Sequence, residues 1–279
     1  MVPLRFLLGL AFSSLTGIVA YRKNALTASG AVGAILVGTL VVGFGGWAWG
    51  MLLIAFFVSS SVLSYYRRAD KAAVSDKFAK GHRRDLGQTL ANGGLGALLA
   101  VGYFLSPNMV LLAAYVGAMA TVNSDTWATE IGVLSRQPPS LVTNCRVVPP
   151  GTSGGVTRDG SLAALGGGLF IGLSAFLLVA GERLALGQPL ALAVLWLLIP
   201  IAGVSGMIGA FFDSLLGATV QRIYYCDMCD KETEQIVHHC GAQTHPLRGW
   251  SWLGNDMVNF ISSGAGALVA AGLLMLLLP

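Results

Sequence analysis

Charged side chains are scarce in this chain. Only 11% of its 279 residues are Asp, Glu, Lys or Arg, against 54% hydrophobic. A water-facing domain carries about 25% charged residues, so a soluble monomeric enzyme is excluded. Sustained polar/apolar alternation is also missing, which argues against the wall of a transmembrane β-barrel. Neither G-x-x-x-x-G-K-[ST] nor a G-x-G-x-x-G that opens a helix after a strand occurs. ATPase and dinucleotide chemistry of the soluble type are therefore unsupported.

What the chain has is apolar runs, with a mean hydropathy of +0.70. At ~20 apolar residues per bilayer crossing, they predict spans over 4–20, 28–44, 47–65, 86–105, 109–133, 161–181, 190–220 and 256–278. The expected fold is an all-α polytopic membrane protein of about eight transmembrane helices. Residues 1–279 form a single membrane-embedded domain, with a small cytoplasmic Cys/His loop over 221–255. Most of the 37 glycines sit within apolar runs, where small residues let helices approach closely. The first run is followed, not preceded, by Arg22 and Lys23, so it reads as a retained helix and not as a signal peptide. The second is Gly-rich enough for a re-entrant segment. The seventh carries Pro200 and Gly203 mid-span, where a kink or break is expected.

Orientation follows from charge. With both termini outside, only Arg5 and Arg183 of the 17 Lys and Arg residues face outward. The cytoplasmic excess of Lys and Arg then assigns the polar segments 66–85, 134–160 and 221–255 to the cytoplasm of a cell (inner) membrane. The basic segment 66–85, which includes Lys71, Lys77 and Lys80, reads as an amphipathic stretch drawn to anionic lipid; nucleic acid is not an expected partner.

Four of the 13 acidic residues, Asp125, Glu130, Asp213 and Asp256, fall in predicted spans. Each would cost about 2.5–3.5 kcal/mol at mid-bilayer unless it meets partners or water. The assigned directions bring all four to one depth near the cytoplasmic face, with Asn92, Asn123 and Asn259. Close carboxylates repel unless a cation neutralises them, and hard oxygen ligands select Mg²⁺ or Mn²⁺. The connection between spans five and six contains Gly151, Thr152, Ser153, Gly154, Gly155 and Thr157, whose backbone N–H groups and hydroxyls can cradle phosphate ahead of a helix start. Arg146 and Arg158 bracket it, and Arg84 precedes span four; each can hold phosphate in a bidentate fork. Cys145 stands alone. Cys226, Cys229, His238 and Cys240 have the spacing of a small zinc ribbon, with His239 and His245 as alternatives for the fourth ligand. In a reducing loop a structural Zn²⁺ is favoured over disulfides.

The motifs Arg84-Asp-Leu-Gly-Gln-Thr-Leu-Ala-Asn-Gly-Gly94, Asn123-Ser-Asp-Thr-Trp-Ala-Thr-Glu-Ile-Gly132, Pro150-Gly-Thr-Ser-Gly-Gly-Val-Thr157, Gly209-Ala-Phe-Phe-Asp-Ser-Leu-Leu-Gly217 and Asn255-Asp-Met-Val-Asn259 together resemble the integral membrane family that contains plant phytyl-phosphate kinase and transmembrane protein nineteen. The resemblance spans almost the whole chain. It implies a membrane transferase that moves a phosphoryl group from CTP or another nucleotide to a prenyl monophosphate, such as phytyl or geranylgeranyl phosphate. In that picture Asp125, Asp213 and Asp256 hold one or two Mg²⁺ ions and Glu130 completes the metal shell. Asn92, Asn123 and Asn259 orient phosphates, the glycine loop holds the nucleotide, and the lipid tail enters between Gly-rich helices. The rivals are a CDP-lipid-forming nucleotidyltransferase, a secondary transporter with the acidic cluster as its ion site, and a scaffold without catalysis.

Overall fold

The computed structural model describes residues 2–75 and 83–278; Lys77 and Lys80 lie outside the described residues. The long elements are helices: α1 (Val2–Arg22), α2 (Ala28–Leu40) with a π-helical turn over Val41–Gly45, α3 (Trp47–Tyr65), α5 (Leu86–Leu105), α6 (Met109–Gly132), α7 (Arg158–Ala185), α8 (Leu192–Thr219) and α9 (Asn255–Leu277). A short α4 (Arg68–Ser75) follows α3. Several starts are fixed by capping side chains. Thr27 accepts from Gly30 N, Asn108 from Leu111 N and Thr157 from Gly160 N, while Asp85 and Gln88 form a reciprocal capping box.

α6 is the axis of the bundle. Every residue from Leu112 to Ser124 is buried, because α3, α5, α7, α8 and α9 pack around it. Small residues permit this closeness: a Cβ on Gly117 would run into Ala270 and the Gly266 carbonyl, and one on Gly168 would lie 2.6 Å from Ala202 O. α8 continues through Pro200 without interruption, so the expected break there is absent. α2 and its π turn run the length of the bundle and do not turn back. The turn ends at Gly46 (φ +101°), and Glu182 Oε1 accepts from Trp47 N (3.1 Å) and Ala48 N (3.4 Å) at the start of α3.

Among the described residues, six helices are long and apolar enough to cross a membrane: α1, α2 with its turn, α3, α7, α8 and α9. α5 and α6 are of similar length, but polar residues such as Gln88, Asn92, Asn123 and Asp125 lower their hydropathy.

The polar insertions gather at one end, and here the chain departs from all-α. β1 (Ser140–Leu141) and β2 (Gly155–Val156) pair antiparallel between α6 and α7. Between α8 and α9, β3 (Ile223–Cys226), β4 (Lys231–Thr233) and β5 (His245–Arg248) form an antiparallel sheet in the order β4-β3-β5. Arg248 Nη1 ties that sheet to the end of α8 through Gly217 O (2.8 Å). The α1–α2 turn joins the same end, where Thr27 N donates to Arg84 O and Arg84 N to Ala25 O, both at 3.0 Å. Arg5 lies at the opposite end, its Nε donating to Gly43 O (2.9 Å).

Candidate functional site

The insertion-bearing end encloses a cavity of about 350 Å³. α6 contributes Asp125 and Thr126, α8 contributes Asp213 and Ser214, α9 contributes Asn255, Asp256 and Asn259, and α5 contributes Gln88 and Asn92. The strand-bearing loop from Pro150 to Thr157 covers it, so Gly151, Thr152, Ser153, Gly154, Gly155 and Thr157 all line it. Residues from four distant stretches of sequence thus converge because α6 and α8 end, and α5 and α9 begin, at one level. The helix starts add their positive dipole ends to the same space.

Asp213 Oδ2 is buried and, among the described residues, has no hydrogen-bond partner. Asp125 lies near enough to act on it electrostatically. Two carboxylates that line one cavity, one with a buried oxygen lacking a hydrogen bond among the described residues, offer hard-oxygen donors of the kind that Mg²⁺ or Mn²⁺ takes. Asn259 Nδ2 approaches Asn92 Oδ1 at 3.5 Å across the cavity.

The glycine loop is a rigid piece. Gly154 holds φ +82° and sits so tightly on Ala218 at the end of α8 that a Cβ there would meet its backbone. The loop hydroxyls are tied inward: Thr152 Oγ1 donates to Pro149 O (2.7 Å), Ser153 Oγ to Gln221 Oε1 (2.9 Å), and Thr157 Oγ1 accepts from Gly160 N (3.0 Å). These bonds shape the loop.

Other expected residues lie elsewhere. Asn123 is fully buried about half a turn deeper, accepting from Ser59 Oγ (2.9 Å) and donating to Gly167 O (2.9 Å), so it packs α3 and α7 onto α6 and does not line the cavity. Arg146 and Arg158 are exposed and also outside the lining; one sits in the hairpin turn and the other on the outer side of the first turn of α7. Glu130 lines the cavity but is already engaged, accepting from Lys71 Nζ and Ser64 Oγ at 2.6 Å each. It does not join the Asp125–Asp213 pair as a ready metal ligand.

The cations at the cavity are Arg84 and Lys71. Arg84 donates to Ser61 Oγ (3.0 Å) and Ser60 Oγ (3.1 Å). Lys71 is almost fully buried; in sequence it is one of many bases in a surface-like run. Glu234 and Gln221 also line the cavity, with Gln221 Nε2 donating to Glu234 Oε1 (2.7 Å). Nothing in the sequence marks them, since both belong to a segment whose evident signal is its cysteines.

Those cysteines form a second centre. The ligand atoms of Cys226, Cys229, His238 and Cys240 all lie within 4.8 Å of one another. His238 Nδ1 is 3.2 Å from Cys240 Sγ, and its Nε2 is 3.1 Å from His239 Nδ1, which orients the ring. His245 points away, toward Asp227 Oδ2 (3.1 Å). Hydrogen bonding from His238 brings the Cys240 thiol down to about 6. Hydrogen bonding with Cys240 pushes Cys229 up to about 11.

Comparison with known proteins now bears on this arrangement. The model of the integral membrane protein family DUF92 matches residues 11–267. The chain belongs to that family. It is 34% identical to Protein PGR of Arabidopsis thaliana over 272 residues, 92% of each chain. It is 30% identical to the chloroplastic Protein VTE6 of the same plant, over 88% of this chain and 64% of that one. An uncharacterized membrane protein of Methanocaldococcus jannaschii is 30% identical over 72% of this chain and 77% of its own. No solved structure is a significant match. This DUF92 member is an integral, multi-pass membrane protein, and its family is the one that the motifs resemble.

Proposed function

We propose that this protein is a prenyl-phosphate kinase, which moves the γ-phosphoryl group of a nucleoside triphosphate, CTP by preference, onto the phosphate of a prenyl monophosphate such as phytyl or geranylgeranyl phosphate. One observation carries the reading: Asp125 and Asp213 line one cavity under the glycine loop, and Asp213 Oδ2 is buried there without a hydrogen-bond partner among the described residues. The likeness of its motifs to the family of phytyl-phosphate kinase supplies the substrate class.

Phosphoryl transfer needs positioning and charge neutralisation more than covalent help. Asp125 and Asp213, with Asp256, are suited to hold Mg²⁺ or Mn²⁺, which when bound offsets the charge of the reacting phosphates. The loop around Gly154 holds the nucleotide phosphates, and Arg84 holds the acceptor phosphate. That phosphate is already ionised, so its oxygen attacks the γ-phosphorus without a general base. A new P–O–P linkage forms as the bond to the nucleoside diphosphate breaks. The loop and the insertion between α8 and α9 keep water from competing.

The cavity-bearing end would face the cytoplasm, with both termini outside and α5 and α6 completing eight crossings of the cell (inner) membrane. A Zn²⁺ ion on Cys226, Cys229, His238 and Cys240 would be structural, since four protein ligands close its shell.

Purified protein incubated with γ-labelled CTP and geranylgeranyl phosphate tests the reaction. Label recovered in a prenyl diphosphate supports it. Label recovered only in free pyrophosphate would convert the reading to nucleotidyl transfer.

A further inference from the structure

A second, smaller cavity of about 70 Å³ lies between α1, α2, α3 and α5, and its lining is almost wholly apolar. It adjoins the polar cavity: Arg84, Gln88 and Asn92 line both. Arg84 stands at the junction. Its guanidinium lies over the rings of Phe56 (5.9 Å) and Phe57 (5.4 Å), two walls of the apolar cavity. From there the groove runs away from the polar cavity past Ala34 to Phe12 and Val42. Between Ala34 and Val42 alone it covers about 12 Å of helix rise.

We infer that this groove is the tail site of the lipid substrate and takes a single hydrocarbon chain, with the monophosphate held by Arg84 at its mouth. The inference rests on the kinase reading and adds to it the path of the tail and the residues that limit its length. Three features carry it. An apolar slot that adjoins a polar cavity beside a half-buried cation matches a molecule with one charged end and one greasy end. Arg84 is suited to the junction because its planar cation tolerates aromatic faces while its edges bind oxygen. The helices that line the groove also nearly touch. A Cβ on Gly38 would lie 2.5 Å from Ser13 Oγ, and one on Gly93 2.8 Å from Val37 Cγ1. Two acyl chains side by side would have to push these helices apart. Phe12 and Val42 stand at the far end, where the end of the tail would lie.

The experiment uses the full-length protein in detergent and a C20 prenyl monophosphate with a diazirine at the tail end, without nucleotide. Photolabelling followed by peptide mapping is expected to mark α1 and α2 near Phe12 and Val42, and unlabelled geranylgeranyl phosphate should abolish the mark. A two-chain phosphatidate should compete at least tenfold less well. In parallel, Ala34→Phe should lower turnover of the C20 substrate tenfold or more and leave a C5 monophosphate within twofold, whereas Leu36→Phe on the outer face of α2 should change neither. Label confined to the outer helix faces, or equal competition by phosphatidate, would overturn the tail site even if the kinase reaction is observed. Competed label in the groove without any phosphoryl transfer from nucleotide would sustain the tail site and sink the kinase reading. The wild-type labelling is decisive should Ala34→Phe fail to fold.

Discussion

Lys71 Nζ donates to Glu130 Oε2 at 2.6 Å, joining α4 to the cavity end of α6 through side chains only 6% and 18% exposed. The same ammonium donates to Leu63 O (2.7 Å), and Ser64 donates to the other oxygen of the carboxylate. A basic residue that looks like surface charge in the sequence thus anchors the rim of the site.

Removing one member leaves a buried charge without its partner, which costs about 3–5 kcal/mol. Lys71→Met should therefore lower the melting temperature in detergent clearly, and Glu130→Gln should do so less, because Ser64 still serves the amide oxygen. The double variant should recover much of the loss, since neither charge then remains. Equal and additive losses would show that the pair does not act as a unit.

Asp125 and Asp213 repel in the metal-free protein. Asp213→Asn is expected to abolish phosphoryl transfer by about 10³-fold or more, of the order of losing a key electrostatic group. It should also raise the melting temperature measured in EDTA and remove the further rise expected of the wild type on adding Mg²⁺. A variant that melts lower in EDTA and keeps its Mg²⁺ response would contradict the assignment of this residue.

Gly154→Ala places a methyl group against the backbone of Ala218 at a left-handed position. Strain of this kind costs about 1–3 kcal/mol. The glycine loop should lift from α8, and kcat/KM for the nucleotide should fall about 10- to 100-fold with little change in the KM for the lipid. A loss confined to the lipid KM would move the nucleotide site away from this loop.

Removing the metal from the cysteine centre should act on architecture. Purified protein is expected to carry one Zn²⁺ per chain by elemental analysis, and Cys226→Ser should carry none. Protease sensitivity within the insertion between α8 and α9 should rise, with the helical content by circular dichroism unchanged. Full zinc occupancy in the Cys226→Ser variant would dismiss the four-ligand assignment.

The sequence is informative wherever a pattern is local. The apolar runs yield the eight long helices within a few residues, because a bilayer-sized helix needs nothing beyond its own composition and caps such as Asp85 and Thr157. The four acids read as costly in lipid, Asp125, Glu130, Asp213 and Asp256, all line the cavity, for the same energetic reason, and Glu234 joins them from the insertion. Spacing does not reveal which partner a side chain meets. Asn123 lies two positions from Asp125, about 200° around the helix, so it turns from the cavity into the packing of α3 and α7. Arg146 and Arg158 flank the loop in sequence but face outward once β1 and β2 pair. Lys71, Gln221 and Glu234 gain their place only through tertiary contact.

Gln221 ties two of these pieces together. Its amide receives Ser153 from the glycine turn and reaches Glu234 in the cysteine-bearing insertion. The two flaps over the cavity are therefore latched to each other by one side chain. Damage to the thiol centre should therefore carry through Gln221 to the loop proposed to hold the nucleotide phosphates.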